Sequence, residues 1–392
     1  MGKKEKKKPD PKIGIVGGQA VLEGVMMKSG DRCSLAVRTP GGEISLFNTV
    51  NISLRSKSKI ARLPLLRGII AFVEQLKLSM DMLTKSADMQ GIDLDEPETK
   101  FEKWLNDKFG DKLMTVVTGV GMVLGLALGL GLFLMLPTFA AKGLDALTGG
   151  FVGRYAVLRS LVEGLIRIAI FVGYVWAVSL MPDIRRTYEY HGAEHKSVAC
   201  FEAGLPLTPA CARDCTRFHP RCGTSFIFVM LLISIIVNTL LTWDNVWVRF
   251  VSKLCLIPVI VGVGFEFIRY AGSRSNLFTR IVSAPGLWMQ RITTREPDDS
   301  QLEVALAALK NAIPPEFGGV VQPSGILGPE GTTQSFDNAA AEQEKPEDAA
   351  EPEEPAPEDG TEPAEAHETA ETPEPPEIPE PPEEPATSSH DA

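Results

Sequence analysis

Two histidines and the acid between them are the first residues in this chain whose types and spacing point to chemistry. His191-Gly192-Ala193-Glu194-His195 is an H-x-x-E-H pattern. On a helix, side chains three and four residues apart share a face, so both imidazoles can reach one divalent ion with Glu194 beside them. Inverted zincins use the same arrangement. Zn2+ is the expected ion, hydrolysis the expected chemistry, and Glu194 the expected general base.

A catalytic zinc usually takes a third protein ligand. Two candidates compete. Glu266 lies near the end of an otherwise apolar run, and an ionisable residue at such a depth is a functional-site hypothesis by default. The opposing reading pairs it with Arg269, Arg185 or Arg186. The other candidate is His219-Pro220-Arg221-Cys222, where His219 or Cys222 can ligate. Cys211, Cys215, His219 and Cys222 also spell C-x3-C-x3-H-x2-C, which would suit a closed structural site. That spacing is tighter than in common zinc modules, and Pro220 would break a helix carrying all four. Two function classes follow: a membrane-embedded zinc-dependent hydrolase, or a non-enzymatic scaffold or assembly factor with a structural metal site. Access separates them, since a catalytic site needs a cleft and an open coordination position. A transporter is disfavoured, because the apolar runs carry few deep polar groups and show no inverted repeat.

These residues must be held by elements that the rest of the sequence outlines. Hydrophobic residues make up 44% of the chain, and they are bunched. Residues 115–136 carry no charge, which is length enough to cross a bilayer. Further spans are expected at about 158–181, 226–243 and 254–268, the last kinked at Pro258. Gly121, Gly125 and Gly129 recur at four-residue steps, which permits close helix packing. Arg159, Glu163 and Arg167 also fall four apart, as an ion-paired face or, less simply, an outward polar cavity. Residues 63–83 form an amphipathic pattern with Arg67, Glu74, Lys77 and Asp81 on one side, suiting a helix lying on the membrane.

Residues 13–52 read as a small β-rich unit, with strands at 34–38 and 43–50 around the Pro40-Gly41-Gly42 turn. The spacing of Gly14, Gly17 and Gly18 fits no phosphate loop, so close backbone packing is the expectation there. A short amphipathic helix is expected at 300–312.

The net charge of −11 is a sum of opposites. Residues 337–392 carry −19, and residues 1–336 carry +8. This excludes a single compact globule. Lys and Arg crowd the stretch before the first span, the 182–223 loop and the stretch after the fourth span. The positive-inside rule then sets both termini and that loop in the cytosol. The six cysteines form no disulfide framework and should be reduced there. The basic inner surface suits anionic lipid headgroups, and no nucleic-acid partner is expected. No secretory signal peptide is expected, since the first long apolar run starts more than a hundred residues in. A basic lead at 1–11 and a Pro/Glu/Ala tail from 323 onward should be disordered. The expected fold is an α-helical integral membrane protein with about four transmembrane helices, a small N-terminal β-rich cytosolic unit and an interfacial amphipathic helix.

Several segments together resemble the YqhQ-like family of uncharacterised bacterial multi-pass membrane proteins. They are GGQAVLEGVMM at 17–27, EGLIR at 163–167, PDIRR at 182–186, HGAEHK at 191–196, HPRCGTSF at 219–226, PGLW at 285–288 and TTREPDD at 293–299. The resemblance spans residues 13 to about 310 and implies a bacterial cytoplasmic membrane and a predicted metal-dependent enzyme. That last label rests on the His191–His195 pattern itself, and the resemblance implies no substrate. Cys211, Cys215 and the acidic tail lie outside it.

Overall fold

The computed structural model describes residues 14–92, 111–239, 245–273, 277–320, 322–327 and 333–335. The expected basic lead, the linker at 93–110 and residues 336–392 lie outside them.

The N-terminal unit is a six-stranded antiparallel sheet in sequential order. Its strands are β1 (Val16–Val21), β2 (Gly24–Ser29), β3 (Arg32–Arg38), β4 (Ile44–Val50), β5 (Gly325–Leu327) and β6 (Thr333–Ser335). Successive side chains in a strand point to opposite faces. Val25, Met27 and Ala36 therefore enter one apolar core, while Met26, Leu35 and Val37 enter another. Both faces of the sheet are covered, which is why β2 and β3 are apolar nearly throughout. β1 and β2 meet at a tight turn in which Glu23 holds a positive φ of 49°. Its carboxylate accepts hydrogen bonds from Arg186 and Tyr190, which ties the turn to the helix that follows the second span.

The C-terminal strands extend the sheet past residue 323, where disorder was expected. Gly325–Leu327 pairs with Ile44, Ser45 and Leu46. An uncovered β4 would present a row of unpaired backbone groups. β5 satisfies that edge with only three residues, too short a run to announce itself in sequence.

The helices are α1 (Leu54–Lys57), α2 (Leu66–Met89), α3 (Asp111–Leu130), α4 (Leu136–Leu147), α5 (Ala156–Val178), α6 (Pro182–Glu202), α7 (Pro209–Arg213), α8 (Gly223–Thr239), α9 (Val246–Ser273), α10 (Leu277–Thr293) and α11 (Asp299–Ala312). A π-helical turn, Gly131–Met135, joins α3 to α4. α11 starts with a reciprocal cap: Asp298 accepts from the Gln301 N–H and Gln301 accepts from the Asp298 N–H. Its Leu302, Leu306 and Leu309 pack with Tyr190, Val198 and Phe201 of α6 beneath the sheet. α2 covers the opposite face with Leu78 and Met82.

Among the described residues, three stretches are long and apolar enough to cross a membrane: Val120–Leu147, Ala156–Val178 and Trp247–Tyr270. Their exposed Val123, Leu126, Leu128, Val157 and Trp247 would be costly in water and are at home in lipid. These apolar helices mark a membrane protein. The segment expected as a span at 226–243 is α8, a helix of 17 residues. Its described part rises about 26 Å, short of a hydrocarbon core of about 30 Å, so three of the four expected spans reach spanning length within the described residues. Residues 240–244 lie outside the described set.

The acid at the second span is fully enclosed. Glu163 bonds Arg167 at 3.1 Å and Arg249 at 3.0 Å, and it also pairs with Lys253. Thr138 on α4 donates to it at 2.9 Å. The expected ion-paired face is therefore internal, shared by α4, α5 and α9, with Glu163 and Arg249 nearly inaccessible.

A candidate metal centre on α6

α6 presents His191, Glu194 and His195 on one face, as their spacing requires. Its first turn carries Pro182 and Asp183, residues that suit a helix start. The face turns toward two partners: the loop that leads into α8, and the segment leaving α10.

Each imidazole is held by a backbone carbonyl. His191 Nδ1 donates to the Thr293 carbonyl at 2.8 Å, and His195 Nδ1 donates to the Arg217 carbonyl at 2.6 Å. A carbonyl only accepts, so both Nδ1 atoms carry the proton and each Nε2 lone pair is left for another partner. His191 Nε2 faces Cys222 Sγ at 3.3 Å. The two rings lie 4.4 Å apart between centroids. Ligand atoms of His191, His195 and Cys222 all fall within 4.8 Å of one another. Nitrogen and sulfur around a tetrahedral zinc lie about 3.6 Å apart. Two imidazoles and a thiol, with both imidazoles oriented by backbone acceptors, form a donor set that fits zinc. Burial also holds His195 below its ordinary range, in the neutral form that a ligand needs.

Glu194 sits behind this trio. Its carboxylate lies 3.9 Å from His191 Nε2. Burial pushes its carboxyl upward, against the opposing pull of His191, His219 and the Gly18 N–H. Gly18 belongs to β1, and a Cβ there would come within 3.0 Å of the Glu194 side chain. Gly18 thus serves close packing and makes room for the acid, whereas a Cβ at Gly17 would meet nothing within 4 Å.

The remaining expected residues are distributed differently. His219 is near, its ring 5.6 Å from that of His195. Its Nε2, however, faces Glu202 at 3.6 Å and Arg221 at 3.3 Å. Burial by itself would raise the Glu202 carboxyl. Hydrogen bonds from His219 and the Gly14 N–H, with the charge of Arg221, hold it at about 2 instead. Glu266 is not brought to the trio. It forms a two-pronged pair with Arg67 of α2, both bonds 2.5 Å long. Glu266 is ion-paired, and its partner is Arg67, which distance along the chain concealed. Cys211 and Cys215 also lie apart from Cys222. They pack against the α6–α11 core beside Cys200, whose thiol is pushed up to about 12 by burial and by its neighbours Cys215 and Cys211. The C-x3-C-x3-H-x2-C run is therefore split between two places.

Several supporting residues had no signal in their type or spacing. Gln290, buried on α10, clamps the His219 backbone, accepting its N–H at 2.8 Å and donating to its carbonyl at 2.7 Å. Glu296 pairs with Lys196 at 2.9 Å and Arg217 at 3.1 Å. The segment 293–299 is thus a strap across α6. Only the TTREPDD resemblance marked it beforehand.

His191 and Cys222 border a cleft of about 520 Å3, and His195 is buried behind them. Gly18 and Gln19 of β1, Phe72 and Gln75 of α2, and Arg221 line the cleft together with His191, Glu194, His219 and Cys222. From α2 the wall takes Phe72 and Leu76 beside Gln75 and Ser79, and Arg221 enters it paired with Glu202.

The strap passes so close to α6 that Gly192 has no room for a side chain: a Cβ there would fall far inside contact distance of the Arg295 carbonyl oxygen. Gly192→Ala is expected to cost about 1–3 kcal/mol and to shift the Thr293 carbonyl from His191. Zinc affinity should drop about 10–100-fold as that orienting bond is lost. Thermal unfolding and zinc titration of the purified protein check both, with Gly173→Ala as the control, since nothing lies within 4 Å of a Cβ at Gly173.

The family described as "Protein of unknown function (DUF1385)" matches residues 63–314. The uncharacterized protein YqhQ of Bacillus subtilis (strain 168) is 31% identical over 298 residues, which is 76% of this chain and 92% of that protein. No solved structure matches the chain.

Proposed function

Since the chain belongs to the DUF1385 family of proteins of unknown function, we propose from its site that it is a membrane-embedded, zinc-dependent hydrolase. One observation carries this reading: a His2Cys donor set presents His191 and Cys222 to an open cleft, with the buried carboxylate of Glu194 lining it too. A closed structural site would surround the ion with four ligands and leave no cleft beside it.

His191, His195 and Cys222 would hold the ion, which supplies Lewis acidity for hydrolysis when bound. The Thr293 and Arg217 carbonyls keep both rings turned to it. Glu194 lines the cleft and is positioned to take a proton from a water entering there and to return it to the leaving group. Arg221, held by its ion pair with Glu202, places a guanidinium at the cleft for an acceptor group of the substrate. An amide or peptide bond is the first substrate class by motif analogy to zincins. In this reading both termini and the α6–α8 segment face the cytosol of a bacterial cell, supported by the crowding of Lys and Arg in those stretches. Basic residues there also suit anionic lipid headgroups.

Metal content of the detergent-purified protein tests the proposal. Wild type is expected to carry about one zinc per chain. His191→Ala and His195→Ala should lose it, and Glu194→Gln should keep it. A metal-free wild type, or metal that survives in both histidine variants, sinks the reading.

A further inference from the structure

We propose that a second pocket, at the junction of α1, α2 and α9, binds the phosphate of an anionic phospholipid headgroup. It stands apart from the metal site and rests only on the chain being a membrane protein. The pocket has a volume of about 490 Å3 and is lined by Ser53, Arg55, Arg62, Arg67, Phe265 and Arg269. Four guanidiniums around one opening are a phosphate-recognising arrangement, because their planar forks match phosphate oxygens in charge and geometry.

Its place in the fold argues for a lipid. Phe265 and Arg269 belong to the last turns of the apolar stretch Trp247–Tyr270. The pocket thus lies where a spanning helix leaves hydrocarbon, at the level of headgroups. Exposed apolar residues adjoin the lining arginines in sequence: Ile60 and Leu63 flank Arg62, and Leu66 precedes Arg67. Further along α2, Val73, Leu76, Met80 and Leu83 recur every three or four residues as an exposed stripe. A phosphate beside an apolar surface is the pattern a phospholipid presents.

The pocket wall is held in shape. Arg67 is fixed by its fork to Glu266. Arg55 bonds the Ser53 hydroxyl at 3.0 Å and lies 3.7 Å from Glu74. Arg62 donates to the Arg55 carbonyl at 2.8 Å. Glu74 and Glu266 are the carboxylates that contact this wall among the described residues, so guanidiniums outnumber them. Leu65 adopts a positive φ of 68° at the start of α2. That conformation is strained for a branched side chain and persists only where its surroundings impose it. The turn reverses the chain between Arg62 and Arg67, so that both line one pocket. It is seated against Gly262 of α9, where a Cβ would come within 2.9 Å of the Leu65 side chain.

The test is binding of short-chain phosphatidylglycerol and phosphatidylcholine to the full chain in neutral detergent, read from the concentration dependence of thermal stabilisation. Wild type should bind phosphatidylglycerol saturably and about tenfold or more tightly than phosphatidylcholine. Arg62→Gln/Arg269→Gln should erase that preference, and each single variant should reduce it. Lys77→Gln/Arg280→Gln removes two exposed charges away from the pocket and should keep it. A large excess of inorganic phosphate should not displace the lipid. Equal binding of both lipids by wild type overturns the proposal. So does a preference that survives Arg62→Gln/Arg269→Gln or disappears in Lys77→Gln/Arg280→Gln. Displacement by inorganic phosphate would make this a free-anion pocket and overturn the lipid assignment.

Discussion

Cys222→Ala protein is expected to bind zinc at least about a hundredfold more weakly than wild type, while Glu266→Gln binds it like wild type. A lost supporting contact alone typically weakens a metal site about 10–100-fold, and a lost ligand should exceed that. Cys222 is the residue whose sulfur faces His191 Nε2 at 3.3 Å. Glu266 is engaged by Arg67 through both carboxylate oxygens. Cys211→Ala/Cys215→Ala should also leave affinity unchanged, because those thiols pack beside Cys200 in the core. Competition titration against a chromophoric chelator measures all three. If Glu266→Gln abolishes binding and Cys222→Ala does not, the His2Cys assignment is wrong.

The largest loss of stability is expected from Glu163→Gln. This acid is the shared partner of Arg167, Arg249 and Lys253 inside the helices. Removing one side of a buried ion pair typically costs about 3–5 kcal/mol, because the remaining charge stays desolvated. Here three cations lose their common counter-charge, so the upper end of that range applies. It compares with a total stability of about 5–15 kcal/mol for an ordinary domain. Lys253→Met should cost much less, since Glu163 keeps both arginines and the cluster sheds one surplus positive charge. Unfolding of the detergent-solubilised protein with heat or denaturant ranks the two. Equal loss in both variants would show that Glu163 is not the centre of the network.

Much of the site was legible in local spacing. His191, Glu194 and His195 share a face because the helix period puts them there. Cys222 was legible only as one candidate among several. Its choice over Glu266 depends on which segments the fold brings to α6, and Arg67 lies 199 residues from Glu266. The acceptors at Thr293 and Arg217 were invisible for a different reason. They act through backbone carbonyls, which every residue carries, so side-chain type holds no trace of them. In the sheet, strand-like runs on either side of the Pro40-Gly41-Gly42 turn marked β3 and β4. β1 was obscured by Gly17 and Gly18, which interrupt its side-chain pattern; at Gly18 the missing side chain makes room for Glu194. β5 was hidden by its three-residue length.

By itself the sequence determined the membrane class, the β-rich start, the helix carrying the histidines and the identity of the acid between them. Each is a local property, set by apolar run length or by a period of two or 3.6 residues. Only the tertiary structure decided the approach of Cys222 to the histidines, the strap across Gly192, the pairing of Glu266 with Arg67 and the cleft beside Glu194. Those depend on side chains far apart in sequence meeting in space. Such meetings are selected by packing and charge compensation over the whole fold, which no short window of sequence contains.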